Sequence, residues 1–330
     1  MPFRPSLAVF HALLAGWVTV ATTAAQVSFK PDLASSLVQN ALPAEGPATS
    51  HSNPAALGES PTVYGHMGIA SGAADEGPFF CWQFAGALAE ERSGLPIRIS
   101  AGLGGWWNSF GTGVSNAVSE ESRIIPGLAV SWLPGPAGLS SLSLGLTFPF
   151  HMYNVFGAAK SRSNSLGLGL LAGFAPGGSS LQAGLAYHSE LRPGVRFPDG
   201  RGLYAIEDWA LVSLAWIPPG RWARLHWEWY FPDVRWDWLE FHFGDVRVNS
   251  WELEWRPNPI VGLKFERTRS GDLSSWGMVL RPEYGQMKSL YLEVNAGHHV
   301  FQPSGPAWLF GKAPAERSGA HAGFSLGAGM

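Results

Sequence analysis

Charged residues in the second half of this chain fall at every other position. Arg224, His226 and Glu228 form one such run, and Glu252, Glu254 and Arg256 a second. Lys264 with Glu266 makes a third, and Glu293 with Asn295 a fourth. A spacing of two puts side chains on one face of a β-strand. Neighbouring antiparallel strands carrying these runs would bring acids and bases within cross-strand reach. Such a wall supports two kinds of chemistry. One is a lattice of ion pairs that fills and stiffens an enclosed surface, since charges withdrawn from water need partners. The other is a polar path or solute site along that surface. The sequence leaves both open.

Other chemistry is thinly represented. The pair His298 and His299, at the top of the thirteenth expected strand, has no metal-spaced Cys, Glu or Asp close by and reads as an exposed pair at the loop. Cys81 is the single cysteine, so neither an intrachain disulfide nor a cysteine metal site is available. His66, His188 and His321 fall on the inward parity of scattered segments without a visible nucleophile beside them. There is no phosphate loop, no HExxH and no GxSxG. An enzyme needs a nucleophile, a base and an orienting group that converge. The chain is therefore expected not to be an enzyme, and to need no cofactor and no metal. A net charge of −3 without a basic stripe gives no reason to expect a nucleic-acid partner.

The elements that must position these residues announce themselves by a period of two. From Leu142 to Phe150, the residues Leu142, Leu144, Leu146, Phe148 and Phe150 alternate with Ser143, Gly145 and Thr147. Grease therefore lies on one face and small polar groups on the other. The pattern recurs about fourteen times, over 62–71, 79–90, 96–107, 123–133, 140–150, 163–174, 179–189, 208–217, 221–231, 246–256, 259–268, 274–282, 288–298 and 319–329. Most of these lengths match the ~9–11 residues a tilted strand needs to cross a bilayer. Short connections follow the even segments, as at Pro176-Gly177-Gly178 and Pro218-Pro219-Gly220. Longer ones mostly follow the odd segments: 108–122, 151–162, 190–207, 232–245 and 299–318. Brief turns at one end and long loops at the other are the plan of an outer-membrane barrel.

The predicted fold is thus all-β: a transmembrane antiparallel barrel of about 14 strands, apolar towards outer-membrane lipid and polar within. The sixteen Trp residues support it. Trp132, Trp216, Trp222 and Trp255, with Phe174, fall at the turn end. Trp82, Trp106, Trp107, Trp209, Trp229 and Trp276, with Tyr187, fall towards the loop end. Two aromatic girdles are expected at the two interfaces. The 41 glycines argue against a helical protein, because each costs roughly 1 kcal/mol in a helix.

The amino end is organised differently. Residues 1–25 read as a signal peptide, with Arg4, an apolar run to Val20 and small residues before Gln26. Residues 26–61 precede the barrel at 62–330. Within them, 31–42 reads as a short helix. Further on, Asn53 is a natural N-cap, Pro54 fits the first helical position and Gly58 can end the turn. The inward parity of the first half is small and neutral, with Gly102, Gly104, Ser143, Gly145, Gly167 and Gly169. That wall leaves room for residues 26–61 to enter as an N-terminal plug.

The stretch from Gly46 to Gly58, with Asn53, Pro54 and Ala55 directly before a barrel of about fourteen strands, resembles the hatch of the FadL-type outer-membrane transporters. The resemblance implies a plugged barrel in a Gram-negative outer membrane that passively admits small hydrophobic compounds. It also implies a lateral opening in the third strand, which here holds Gly102, Gly104 and Gly105. A similar Asn-Pro-Ala opening occurs in accessory barrels of type IX secretion. The alternative function is accordingly a non-transporting barrel that docks or anchors a secretion-system protein. Here the chain ends Gly329-Met330, without a terminal aromatic residue, and the approach to the motif is short.

Overall fold

The computed structural model describes residues 53–74, 77–91, 95–111, 118–133, 139–155, 159–190, 208–232, 235–237, 240–242, 248–268, 273–282, 289–301 and 317–330. The expected signal peptide, the 31–42 helix and most of the long loops lie outside them.

Alternating apolar and small residues do form strands. They are β1 (Val63–Ala74), β2 (Gly77–Glu91), β3 (Ile97–Gly111) and β4 (Val118–Trp132). Next come β5a (Ser141–Thr147), β5b (Phe150–Val155), β6 (Ala159–Phe174) and β7 (Ser180–Glu190). Then follow β8 (Trp209–Ile217), β9 (Ala223–Pro232), β10 (Val248–Trp255) and β11 (Val261–Thr268). The last are β12 (Leu273–Leu280), β13 (Ser289–Phe301) and β14 (Arg317–Gly329). A short hairpin, Arg235–Asp237 against Glu240–His242, stands apart from this sheet.

Each strand pairs antiparallel with its neighbours, and β14 returns to β1, from Tyr64 opposite Gly329 to Ala74 opposite Gly319. The result is a closed antiparallel barrel of 14 strands. Closure leaves no open edge, the condition for a sheet to span lipid. β5a and β5b act as one strand, interrupted at Phe148-Pro149. Proline has no N–H to donate, yet Phe148 N still bonds Pro126 O at 3.0 Å and Ser165 N bonds Pro149 O at 3.0 Å.

Burial is inverted relative to a water-soluble protein. Leu128 is 55% exposed and Leu144 47%, while Ser131, Ser143 and Thr147 are fully buried. Greasy side chains face outward and polar ones inward, as the period of two predicts. Among the described residues no helix is long and apolar enough to cross a membrane.

Three expectations are corrected. The spans 108–122 and 151–162 are not wholly loop: β3 runs to Gly111, β4 starts at Val118, and β5b pairs with both β4 and β6. Ladder pairing simply continues beyond the expected ends, with β3 and β4 in register from Ile97 opposite Trp132 to Gly111 opposite Val118. His298 and His299 are not in a loop but inside β13, opposite Ala320 and Gly319. Trp209 is no girdle residue: it is buried on the inward parity of β8 and stacks on His188, ring centroids 3.9 Å apart. Its partner in register is the inward-facing His188, so parity overrides its position at a strand end. Trp222, Trp255 and Trp276 are outward and at least half exposed.

Candidate functional site

The barrel interior is built from two unlike sectors joined by continuous cross-strand rows. One row runs Ser141, Gly173, Gln182, Ala215, His226, Glu252, Glu266 from β5a to β11. It begins small and neutral and ends charged.

The first sector holds a turn of the amino-terminal segment, Pro54–Glu59, a 3-10 helix. Asn53 caps it: Asn53 Oδ1 accepts from Ala55 N at 3.0 Å, and Asn53 Nδ2 donates to Leu170 O of β6 at 3.2 Å. One side chain thus satisfies the turn's free amide and fastens it to the wall. Asn53, Ala55, Ala56 and Leu57 are essentially without solvent contact.

Glycines make the seat. A Cβ on Gly145 would stand 2.1 Å from Pro54 C, and one on Gly169 2.2 Å from Asn53 Oδ1. On Gly102 and Gly127 it would meet the Leu57 side chain at 2.3 and 2.7 Å. Gly145 and Gly169 are cross-strand partners, as are Gly102 and Gly127. The wall is therefore hollowed by two glycine pairs, one under the Asn53–Pro54 step and one under Leu57. Leu57 completes its packing with Tyr64, Ala87 and Ala129, and Ala55 with Leu171 and Ala215.

The far end of the turn is tied by polar contacts. Arg98 Nη1 donates to Ser60 O at 2.8 Å, and Arg98 pairs with Glu91. Glu59 Oε1 accepts from Ser141 Oγ and its Oε2 from Gln182 Nε2, both at 3.2 Å. Burial pushes the Glu59 carboxyl above its ordinary 4.5, against the pull of Ser141, Gln182 and Arg98. Beside it lies a cavity of about 480 Å³ lined by Glu59, Pro61, Thr62, Ala89, Glu90, Glu91, Arg98 and Met330.

The second sector is the charged wall, and it brings the predicted residues together. Arg224 Nη1 meets Glu252 Oε1 at 2.8 Å. Lys264 Nζ bridges Glu252 Oε2 at 3.0 Å and Glu293 Oε1 at 2.9 Å. Glu254 receives Arg256 at 3.0 Å and Arg281 at 2.5 Å. His226 Nε2 lies 3.5 Å from Glu228 Oε1. Arg224, His226, Glu228, Glu252, Glu254 and Glu266 are each at most 3% exposed. Two of these links reach past an intervening strand. Arg281, just after β12, reaches Glu254 on β10 over Gly262, where a Cβ would stand 2.1 Å from Glu254 Oε1. Lys264 on β11 reaches Glu293 on β13 past Gly277, the residue opposite both Lys264 and Asn295.

Sequence reading missed Glu59, Arg98, Arg281 and Tyr291. Arg98 sits on the inward parity of β3, opposite Ser131, and was legible in principle. Glu59 follows the expected stop at Gly58, and Arg281 falls inside the expected strand 274–282 but just past the end of β12, where its backbone N–H still bonds Ile260 O at 2.7 Å. Tyr291 Oη lies 2.7 Å from His66 Nδ1 inside the barrel.

The glycines expected to open the third strand are fully paired. From Gly102 to Gly105, β3 is in register with β2 and β4 without a gap. Gly102 lies under Leu57, while a Cβ on Gly105 would meet Arg123 O at 2.4 Å and the outward-facing Phe84 ring. Glycine permits a bend without imposing one, and the sheet's interruption falls instead at Pro149 in the fifth strand. Among the described residues, no group of three or more His, Cys, Asp or Glu is placed to hold a metal ion.

No family model and no curated protein matches the sequence. Solved structures do resemble the fold. The toluene transporter TbuX of Ralstonia pickettii aligns with a TM-score of 0.54 at 10% identity, over 87% of this chain and 96% of that one. The TodX deltaS2S3 mutant, a monoaromatic hydrocarbon channel, aligns at 0.52 and 11% identity, over 86% and 94%. A FadL homologue from Pseudomonas aeruginosa aligns at 0.50 and 13% identity, over 86% and 94%. At these identities the likeness is one of fold, and the fold is that of the FadL-type outer-membrane channels.

Proposed function

We propose that this protein is an outer-membrane barrel for passive uptake of small hydrophobic compounds, with the segment ending at Ser60 acting as its plug. The observation that carries this reading is the Asn53–Ser60 turn inside a closed barrel, seated on paired glycines and fastened by Asn53 to Leu170 O. A wall hollowed to receive one turn implies that the turn belongs there. The charged sector supports it from the other side. Its acids and bases are bonded mainly to one another, which suits a filled wall better than a hydrated ion path. A bore closed by a seated turn and an ion lattice would exclude ions and polar solutes while apolar molecules use other routes. This reading assigns Asn53, Pro54 and Ala55 the plug role, and Arg224 through Glu293 the role of a lattice. The solved neighbours described as a monoaromatic hydrocarbon channel and a toluene transporter make a small aromatic hydrocarbon the first solute to try.

The test is uptake of radiolabelled toluene by cells with the protein, without it, and with Asn53→Ala. Expression of the natural protein should raise uptake, and Asn53→Ala should change the rate. Equal uptake in all three would remove the proposal.

A further inference from the structure

One feature of the turn's seat is not needed to hold it. A plug could rest on Leu57 and Asn53 alone, yet its last residues carry a carboxylate into a recess where the side chains that hydrogen-bond it are uncharged. Glu59 is held by a serine hydroxyl and a carboxamide, Ser141 and Gln182. Arg98, the cation whose charge acts on Glu59, is already engaged with Ser60 O and Glu91. A carboxylate held by neutral donors lacks the full charge compensation it has in water.

From β3 comes Arg98, and from β2 come Glu90 and Glu91, all lining the same cavity. From β5a and β7 come the uncharged Ser141 and Gln182. From β4 comes Ser131, hydrogen-bonded to Ser143 at 2.7 Å. From β1 comes Tyr64, packed on Leu57. Pro61, Thr62, Ala89 and Met330 complete the cavity without an ionisable side chain. The cavity of about 480 Å³ sits at the short-turn end of the barrel. It gives protons and water a way to the carboxyl without disturbing the rest of the seat.

We propose that Glu59 is a proton-operated latch: protonated, it holds the turn in its seat, and ionised, it loosens the turn. The idea rests on the plug reading above and adds a regulatory input to it. The direction follows from linkage. Burial raises the carboxyl's pKa in the seated state, so seating takes up a proton. Its contribution is complete below the ordinary value of 4.5. It is lost as the pH climbs through the raised value. Acid tightens the seat and alkali slackens it. Arg98 holds the neighbouring Ser60 carbonyl at either pH, so the slackened turn stays tethered at one end.

The test is amide hydrogen exchange of the full-length protein in detergent micelles, corrected for intrinsic exchange, at about pH 5 and about pH 8. Protection of the Ala55–Ser60 amides should be lower at about pH 8 than at about pH 5, because the ionised carboxyl no longer favours the seat. Glu59→Gln should hold the acid level of protection at both pH values. Glu90→Gln, at the cavity rim, should keep the natural profile. A gel-mobility assay of heat-resistant barrel confirms that each variant is folded. The latch is overturned if protection is flat or rises with pH, or if Glu59→Gln keeps the natural fall. Absent protection at both pH values would overturn the plug reading together with the latch. Flat but strong protection would leave the plug standing and remove the latch alone.

Discussion

The two sectors of the barrel interior solve the same problem with opposite chemistry. Between β3 and β6 the wall is carved out by glycine, and a separate piece of chain fills the hollow. Between β9 and β13 the wall fills itself, with Arg224, Glu252, Lys264 and Glu293 linked in one chain of ion pairs and Glu254 held by Arg256 and Arg281 in another. Glycine serves both sectors in different ways. Gly145 and Gly169 make room for backbone from elsewhere, while Gly262 lets Glu254 stand over the strand that would otherwise shield it from Arg281. Filling that belongs to the wall should be inseparable from barrel stability. Filling that is inserted should be removable with the barrel intact.

The largest expected effect comes from breaking the self-filled sector. Glu254→Ala leaves Arg256 and Arg281 without their shared acid, a loss worth roughly 3–5 kcal/mol for a buried pair. Guanidinium unfolding of the barrel in detergent should show the full loss. A change of less than a tenth of that would mean the lattice is solvated and the contrast between sectors is false.

Paired glycine substitutions sharpen the comparison. Gly145→Ala and Gly262→Ala each place a Cβ 2.1 Å from an existing atom, and overpacking of this kind costs about 1–3 kcal/mol. The cost should appear in different places. Gly262→Ala should lower the barrel's unfolding midpoint. Gly145→Ala should leave that midpoint unchanged and expose Asn53–Ser60 to proteolysis. The same outcome for both would break the comparison.

Arg98→Met removes the hydrogen bond to Ser60 O at a cost of about 1 kcal/mol. It should raise protease sensitivity of the turn and leave barrel unfolding unchanged. The smallest effect is that of salt. Raising NaCl from about 0.1 M to about 1 M shortens the screening length to roughly 3 Å. It should hardly move the barrel's midpoint, because the lattice is buried. A marked fall would show that ions reach it.

Much of the architecture was legible because a strand displays its two faces in strict alternation. Leu142 to Phe150 states which way each side chain points before any partner is known, and the charged runs from Arg224 to Glu293 share one face for the same reason. Asn53 and Pro54 announced a capped turn through local backbone chemistry alone. Strand ends were less legible, because extension of β5b depends on β4 and β6 being extended beside it. Trp209 showed the limit of judging by position: its place suggested a membrane interface, while its parity pointed it at His188.

By itself the sequence determined the alternation, a strand count of about fourteen, and which parity faces the bore, since these depend on the backbone's period and on nothing distant. Only the tertiary structure decided who meets whom. Strand stagger, and the glycine gaps at 262 and 277, determine that Arg281 finds Glu254 and Lys264 finds Glu293 past an intervening strand. Barrel closure brings the amino-terminal turn against strands more than a hundred residues away, as Asn53 bonding Leu170 O illustrates. Contacts of that kind arise when a sheet curls shut, and a one-dimensional pattern holds no record of its curvature.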